Sequence, residues 1–162
     1  MKNIMKISAA IALGVMGTHT AQAAELALEK GTMSLGGSAG ISLIAADGVT
    51  MFAFGANPSF GYFMSDNIQV FGTLQLGYAD SFSFGIGAGG NYVTDLAGMK
   101  FYAGAHADVM DNGDTVWVGV QSGFLFPLSE HVAMDLSIRP EYEVNTGIFM
   151  LNAGWLGVNA YF

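Results

Sequence analysis

The stretch that decides the fold runs from Asp80 to Asp95 and reads DSFSFGIGAGGNYVTD. Its side chains alternate between a bulky, mostly apolar set and a set that is small or polar. The bulky set is Phe82, Phe84, Ile86, Ala88, Gly90 and Tyr92, and the other is Ser81, Ser83, Gly85, Gly87, Gly89 and Asn91. A period of two is typical of a β-strand, because successive strand side chains point to opposite faces. One face of this strand therefore suits an apolar environment, and the other suits a crowded or polar one.

The same alternation recurs in seven further segments of about ten to fourteen residues, which is the length of a transmembrane β-strand. These segments cover residues 32–44, 51–64, 68–78, 100–110, 116–126, 132–144 and 148–162. Turn residues separate them, for example at Asp111–Gly113 and Asn145–Gly147, where glycine supplies the positive φ that tight hairpins need. We expect bulges at Pro58 and Pro140, which lie inside strands. The last strand has the weakest alternation, and its pattern places Asn152 among the outward-facing residues.

Composition points to a membrane barrel. Charged residues make up 11% of the chain, against roughly 25% in soluble domains, and the mean hydropathy is +0.44. Beyond residue 23, however, no run of about 18 consecutive apolar residues occurs. A chain this apolar without a transmembrane helix can span a bilayer as a closed sheet, in which every backbone polar group is paired. The sequence therefore predicts an all-β fold, a closed antiparallel up-and-down eight-stranded transmembrane β-barrel.

Side-chain size indicates which face is outside. A soluble barrel would place the bulky set inside, but eight strands enclose an interior only just wide enough for side chains. The small and polar set fits that interior, so the bulky set is predicted to face lipid. Aromatic residues near strand ends resemble the interfacial girdles of outer-membrane barrels. They are Tyr62, Phe63, Tyr78, Phe82, Tyr92, Phe101, Phe124 and Phe126.

The first 23 residues predict a secretory signal peptide. A basic head with Lys2 and Lys6 precedes a short apolar run and the small-residue pattern Ala21-Gln22-Ala23, after which cleavage is expected. Residues 24–162 then form the barrel domain. They retain three basic side chains against thirteen acidic ones, a formal net charge of −10, which argues against nucleic acid as a partner. The absence of cysteine is compatible with export.

The chain resembles the small eight-stranded outer-membrane β-barrel proteins of Gram-negative bacteria, the opacity-type porin-like group. The stretches that carry this resemblance are GTMSLGGSAGIS (31–42), PSFGYFMSDNIQVFGTL (58–74), SGFLFPLSEHVAMDLSIRPEY (122–142) and LNAGWLGVNAYF (151–162). The resemblance implies periplasmic termini and contact with outer-membrane lipid and lipopolysaccharide. It also implies escort by periplasmic chaperones. The terminal Tyr161 and Phe162 are similar to the signal that the barrel-assembly machinery recognises.

Charged residues on the small, inward face predict a lumen ion cluster. Arg139, the only arginine, lies on one strand face with acidic neighbours, and same-face neighbours are about 6.7 Å apart. Buried charges need partners, so the cluster is expected to hold the barrel together, or alternatively to act as a gate or selectivity element. Its predicted members are Asp135, Arg139, Glu141 and Glu143, with His106 and Asp108 from a strand two positions away.

Other motifs favour no catalytic, cofactor or metal site. Gly85, Gly87 and Gly90 match G-x-G-x-x-G, but that motif requires a helix and here the strand alternation continues through it. His106 and Asp108 could suggest a hydrolase, but they face the lumen and no nucleophile motif accompanies them. The acidic turn residues could bridge lipopolysaccharide through divalent cations, although solvated turn tips are the simpler interpretation. These residues are Asp47, Asp80, Asp111 and Asp114.

The function predicted from these observations is that of a non-enzymatic, integral outer-membrane barrel with a structural or envelope role and a narrow polar lumen. The alternatives are a pore for small solutes and, less favoured, a lipid A-modifying enzyme.

Overall fold

The computed structural model describes residues 25–46, 49–78, 81–96, 98–110 and 113–162. The predicted signal peptide, residues 1–23, lies outside the described residues, as do Asp47, Asp80 and Asp111. In the part of the chain that is described, no helix is long and apolar enough to cross a membrane.

Eight antiparallel strands pair in sequence order, and the last pairs with the first to close a barrel. The strands are β1 (Met33–Ala46), β2 (Val49–Ser65), β3 (Ile68–Tyr78), β4 (Phe82–Leu96), β5 (Met99–Met110), β6 (Thr115–Ser129), β7 (Val132–Glu143) and β8 (Phe149–Tyr161). The predicted fold class is confirmed. The predicted turn glycines are also confirmed, since Gly113 and Gly147 have φ angles of 99° and 76°.

The bulky face of the strands is the outer surface of the barrel. Leu74, Phe84, Ile86 and Ile138 are 44%, 51%, 57% and 50% exposed, although each is large and apolar. The residues that alternate with them are small or polar and line the interior, where Asn57, Asn91 and Gln121 are buried. The predicted orientation is confirmed: the barrel presents an apolar belt outward and keeps a polar lumen.

Neither strand proline produces a bulge, so that prediction is wrong. Around Pro58, the pairs Ala56–Leu76 and Ser59–Thr73 keep the same register between β2 and β3. Each proline lacks the backbone N–H that would donate to one neighbouring strand. On its other side, however, it pairs with a residue of the adjacent strand without a shift of register. Those pairs are Pro58–Gly37 and Pro140–Leu151.

The register between neighbouring strands shifts at positions other than the two prolines. The shift in β8 has the largest consequence. Ser137 pairs with Trp155 and Ile138 with Ala153, so one residue of β8 has no counterpart on β7. A one-residue bulge exchanges the two faces of a strand. Among the described side chains of β8, Phe149 and Leu151 face outward before the bulge, and Leu156 and Val158 face outward after it. Asn152 consequently points into the lumen and is buried, which corrects its predicted outward position.

The end of the barrel that carries the chain termini is filled with apolar side chains; we call it the terminal end, and the opposite one the outer end. Phe63 is fully buried and packs against Tyr161, with ring centroids 6.4 Å apart. Its predicted place in the outer aromatic girdle is wrong, because it shares a strand face with the lumen residues Ser59 and Gly61. The buried cluster at this end is Leu26, Leu28, Phe63, Val93, Tyr102, Leu125, Ala133 and Tyr161.

Candidate functional site

A four-residue ion cluster lies inside the barrel. Nε2 of His106 is 2.8 Å from Oε1 of Glu141 and 3.4 Å from Oδ2 of Asp108. Nη2 of Arg139 is 3.2 Å from the same Glu141 oxygen and 3.5 Å from the same Asp108 oxygen. All four side chains are buried. The cluster is therefore a compact group of two carboxylates, one guanidinium and one imidazole.

Local sequence explains why residues of β5 and β7 meet although β6 separates them. His106, Gly119 and Glu141 are successive partners across the three strands. A Cβ on Gly119 would lie 2.8 Å from Cε1 of His106 and 2.9 Å from Cγ of Glu141. Because Gly119 has no side chain, the histidine and the glutamate make contact above it. This glycine at a lumen position is the sequence signal that would have predicted the contact.

Glycine also makes room beside Asp108. A Cβ on Gly87 would collide with the carboxylate of Asp108. Gly87 belongs to the G-x-G-x-x-G match, which here lies entirely within strand β4. Gly85 and Gly87 therefore serve lumen packing, Gly90 lies on the opposite face of the strand, and no helix begins at the motif to bind a phosphate.

Polar neighbours donate hydrogen bonds to both carboxylates. Gln75 donates from Nε2 to Oδ1 of Asp108 at 2.8 Å, and Asn152 donates from Nδ2 to Oε2 of Glu141 at 2.5 Å. With its amide oxygen turned toward Arg139, Asn57 accepts a hydrogen bond from Nη1 at 2.8 Å. Hydrogen-bonded neighbours of this kind offset the cost of burying charges. The arrangement links strands β2, β3, β5, β7 and β8 through the lumen.

Asp135 and Glu143, which the sequence placed with these residues, lie elsewhere. Asp135 accepts hydrogen bonds from the hydroxyl of Tyr102 at 2.9 Å and from Asn159 at 3.4 Å. Glu143 lies at the end of β7, where its carboxylate accepts from the backbone N–H of Asn145 at 3.0 Å and from Thr146. Asp135 thus belongs to the polar lumen nearer the terminal end, and Glu143 holds the β7–β8 turn.

The donor set of the cluster includes groups that can ligate a metal ion or transfer a proton. His106, Asp108 and Glu141 each offer a ligand atom, and these atoms lie within 4.8 Å of one another. Imidazole and carboxylate ligands suit several transition metals. The guanidinium of Arg139, however, already lies within 3.5 Å of both carboxylates and supplies the compensating positive charge. Nε2 of His106 faces two carboxylates, and no hydroxyl group is among its hydrogen-bond partners in the described part of the chain.

The cluster divides the lumen into two cavities. The lower cavity, of about 70 Å³, lies toward the terminal end and is lined by Arg139, Asp135 and mainly polar residues. The upper cavity, of about 290 Å³, lies toward the outer end and has Asp108 and Glu141 in its lining. Asn57 lines both cavities. The cluster and Asn57 therefore form the partition between them.

A second barrier, which the sequence analysis missed, closes the terminal end. Residues 25–32 precede β1 and form what we call the N-terminal stopper, in which Leu26 and Leu28 are 1% and 6% exposed while their neighbours are exposed. The stopper is attached by hydrogen bonds from the N–H of Gly31 to the carbonyl of Phe63 at 2.9 Å and from the N–H of Lys30 to Asp66 at 3.0 Å. The two buried leucines thus extend the apolar cluster that fills the terminal end of the barrel.

Comparison with known proteins settles the fold. The sequence matches no protein-family model and no curated protein. Among the sixteen matching chains of solved structures are the following three, each of which covers 82% of this chain. Neisserial surface protein A is 19% identical with a TM-score of 0.66, and all of it is covered. The N-terminal β-barrel domain of Pseudomonas aeruginosa OprF is 16% identical (TM-score 0.62, 98% covered), and the attachment invasion locus protein Ail of Yersinia pestis is 15% identical (TM-score 0.57, 99% covered).

The chain has the fold of the small outer-membrane β-barrels. At these identities the likeness establishes the architecture alone.

Proposed function

We propose that this protein is an integral outer-membrane β-barrel with a structural, non-enzymatic role in the envelope, and that its lumen is closed to solutes. The observation that carries the proposal is the presence of two barriers in series. The four-residue cluster lies in the middle of the lumen, and the N-terminal stopper covers its terminal end. A solute would have to displace both a hydrogen-bonded ion network and a packed apolar layer.

The outer surface supports a membrane location. Its exposed belt of leucine, isoleucine, valine and phenylalanine requires hydrocarbon, and a closed barrel leaves no unpaired backbone in it. Export would begin with the signal peptide of residues 1–23. Phe162, which pairs with Met33 at the closing seam, would serve with Tyr161 in recognition by the barrel-assembly machinery. Lipid, lipopolysaccharide and periplasmic chaperones are the corresponding proposed partners.

Location and closure are tested separately. Membrane fractions of the native host should contain a band in the outer membrane that migrates faster when unheated than when boiled.

To test closure of the lumen, mature protein refolded from urea is added to planar bilayers, where we expect no unitary conductance. A variant in which both barriers are removed, with serine at Leu26, Leu28, Asp108, Arg139 and Glu141, serves as the conducting control. Reproducible unitary conductance from the unmodified chain would refute the closed lumen.

A pore for small solutes is the second candidate function. The two cavities favour it, because they leave open volume in the lumen on both sides of the cluster. Conduction would require the cluster and the stopper to rearrange, so the same bilayer recordings decide between the two functions. Lipid A modification is addressed by the lipid A mass profile of a deletion strain, which we expect to be unchanged.

A further inference from the structure

The upper cavity differs in character from the rest of the lumen. Most lumen positions hold glycine, serine, threonine, asparagine or glutamine, but three large apolar side chains turn inward in the outer half of the barrel. They are Met110 on β5, Trp117 on β6 and Met150 on β8, and all three line the upper cavity. Cavities with apolar walls and a few convergent polar groups are typical of small-molecule sites.

The bottom of this cavity is negatively charged. Asp108 and Glu141 are in its lining, whereas no lysine, arginine or histidine is among the described residues that line it. The guanidinium of Arg139 lines the lower cavity instead, so the charge in the lining of the upper cavity is that of the two carboxylates. A narrow cleft with low-dielectric walls concentrates the field of such a charge. Anionic ligands are therefore disfavoured there, and a monocation is favoured.

Glu141, which is in the lining of the upper cavity, has the capacity to accept one more hydrogen bond. Its Oε1 faces His106 and Arg139, while Oε2 accepts one hydrogen bond among the described residues, from Asn152. A carboxylate oxygen has two lone pairs and can accept two. An ammonium group in the cavity would therefore have an acceptor, while the ring of Trp117 on the cavity wall could interact with the positive charge.

We propose that the upper cavity is a binding site for a small organic monocation with an apolar body, such as an aryl- or alkylammonium ion. Its ammonium group lies toward Asp108 and Glu141, and its apolar part packs against Met110, Trp117 and Met150. The volume of about 290 Å³ is at the lower end of the range for ligand sites and suits one ring with a short chain. This binding role goes beyond the structural function proposed above and does not depend on conduction.

The test uses the mature protein in phosphatidylcholine nanodiscs, with empty nanodiscs as the blank. Equilibrium dialysis compares radiolabelled 2-phenylethylammonium with 2-phenylethanol, a neutral probe of the same shape. We expect saturable binding of the ammonium ion that is about tenfold or more tighter than that of the alcohol, because only the former carries the charge that complements the cavity. Equal binding of both probes, or no binding above the blank, would overturn the proposal.

Variants locate the site without altering the cluster. Ser83→Lys places a cation in the lining of the upper cavity, while Ser129→Lys places one on the exposed end of β6 as a matched control. We expect the first to weaken ammonium binding about tenfold or more and the second to leave it unchanged. If Ser83→Lys does not refold, Thr115→Lys in the same lining replaces it. Undiminished binding in the folded lining variant would also overturn the proposal.

Discussion

Nε2 of His106 lies 2.8 Å from Oε1 of Glu141, directly above a glycine of the strand that separates them. The contact joins β5 to β7 through the lumen, independently of the ladder hydrogen bonds of β6. Side-chain contacts therefore connect strands across the interior of this barrel. The absence of a side chain at Gly119 allows His106 and Glu141 to meet.

Filling that space should destabilise the barrel. The added methyl group of Gly119→Ala would lie 2.7 Å from the carbonyl of Pro140 and within 3 Å of His106 and Glu141. We expect a loss of about 1–3 kcal/mol in the free energy of unfolding, measured by urea titration in lipid vesicles. Gly72→Ala is the matched control, because its Cβ would meet nothing closer than 3.7 Å. Equal free energies of unfolding of the two variants would show that the neighbours of Gly119 can move aside for the methyl group at little cost.

Removal of the guanidinium should be more costly. Arg139→Ala leaves the carboxylates of Asp108 and Glu141 buried without their cation, and breaking a buried pair in this way costs about 3–5 kcal/mol. The unheated band on a gel should then convert to the unfolded form at a lower temperature. Lys100→Ala removes a cation from an ion pair with the exposed Asp95 and should have little effect. If heat resistance of the Arg139 variant is unchanged, the cluster does not stabilise the barrel.

The N-terminal stopper should detach when its buried leucine is truncated. Leu26→Ala removes apolar packing that contributes about 2–5 kcal/mol in well-packed cores. We therefore expect faster hydrogen exchange at the N–H of Gly31, which donates to Phe63 in the closed arrangement. Glu29→Ala changes an exposed side chain of the same segment and should not alter the rate. Unaltered exchange in the leucine variant would mean that other contacts hold the stopper in place.

Period-two alternation was sufficient to predict the strands, their number and the outward face. Each depends only on the side-chain pattern within a strand, and Phe84 or Ile138 shows it clearly. The alternation along β2 also places Phe63 on the lumen face. Its assignment to the outward aromatic girdle therefore contradicted the pattern of its own strand. Asn152 was misplaced for a different reason. The bulge in β8 exchanges the faces midway, and the apolar residues on both sides of that strand give no indication of where the exchange occurs.

Features that depend on distances across the lumen were harder to predict. Alternation puts His106, Asp108, Arg139 and Glu141 on inward faces, but whether two side chains meet depends on the barrel radius and on the residue between them. Gly119 provides that information only once the register is known. The N-terminal stopper was not predicted, because the segment of residues 25–32 is short and belongs to no strand. Their buried pair, Leu26 and Leu28, has partners only after the barrel has closed.

The central claim, that lipid contacts the bulky face and the polar face encloses the lumen, is tested most directly by placing one arginine on each side. Urea unfolding in phosphatidylcholine vesicles compares Ile86→Arg, on the exposed face of β4, with Gln75→Arg, beside Asp108 inside the barrel. We predict that the first loses about 2–4 kcal/mol of stability, as charged groups facing the bilayer interior do, and that the second loses far less. Equal losses, or a larger loss for the Gln75 variant, would contradict the claim.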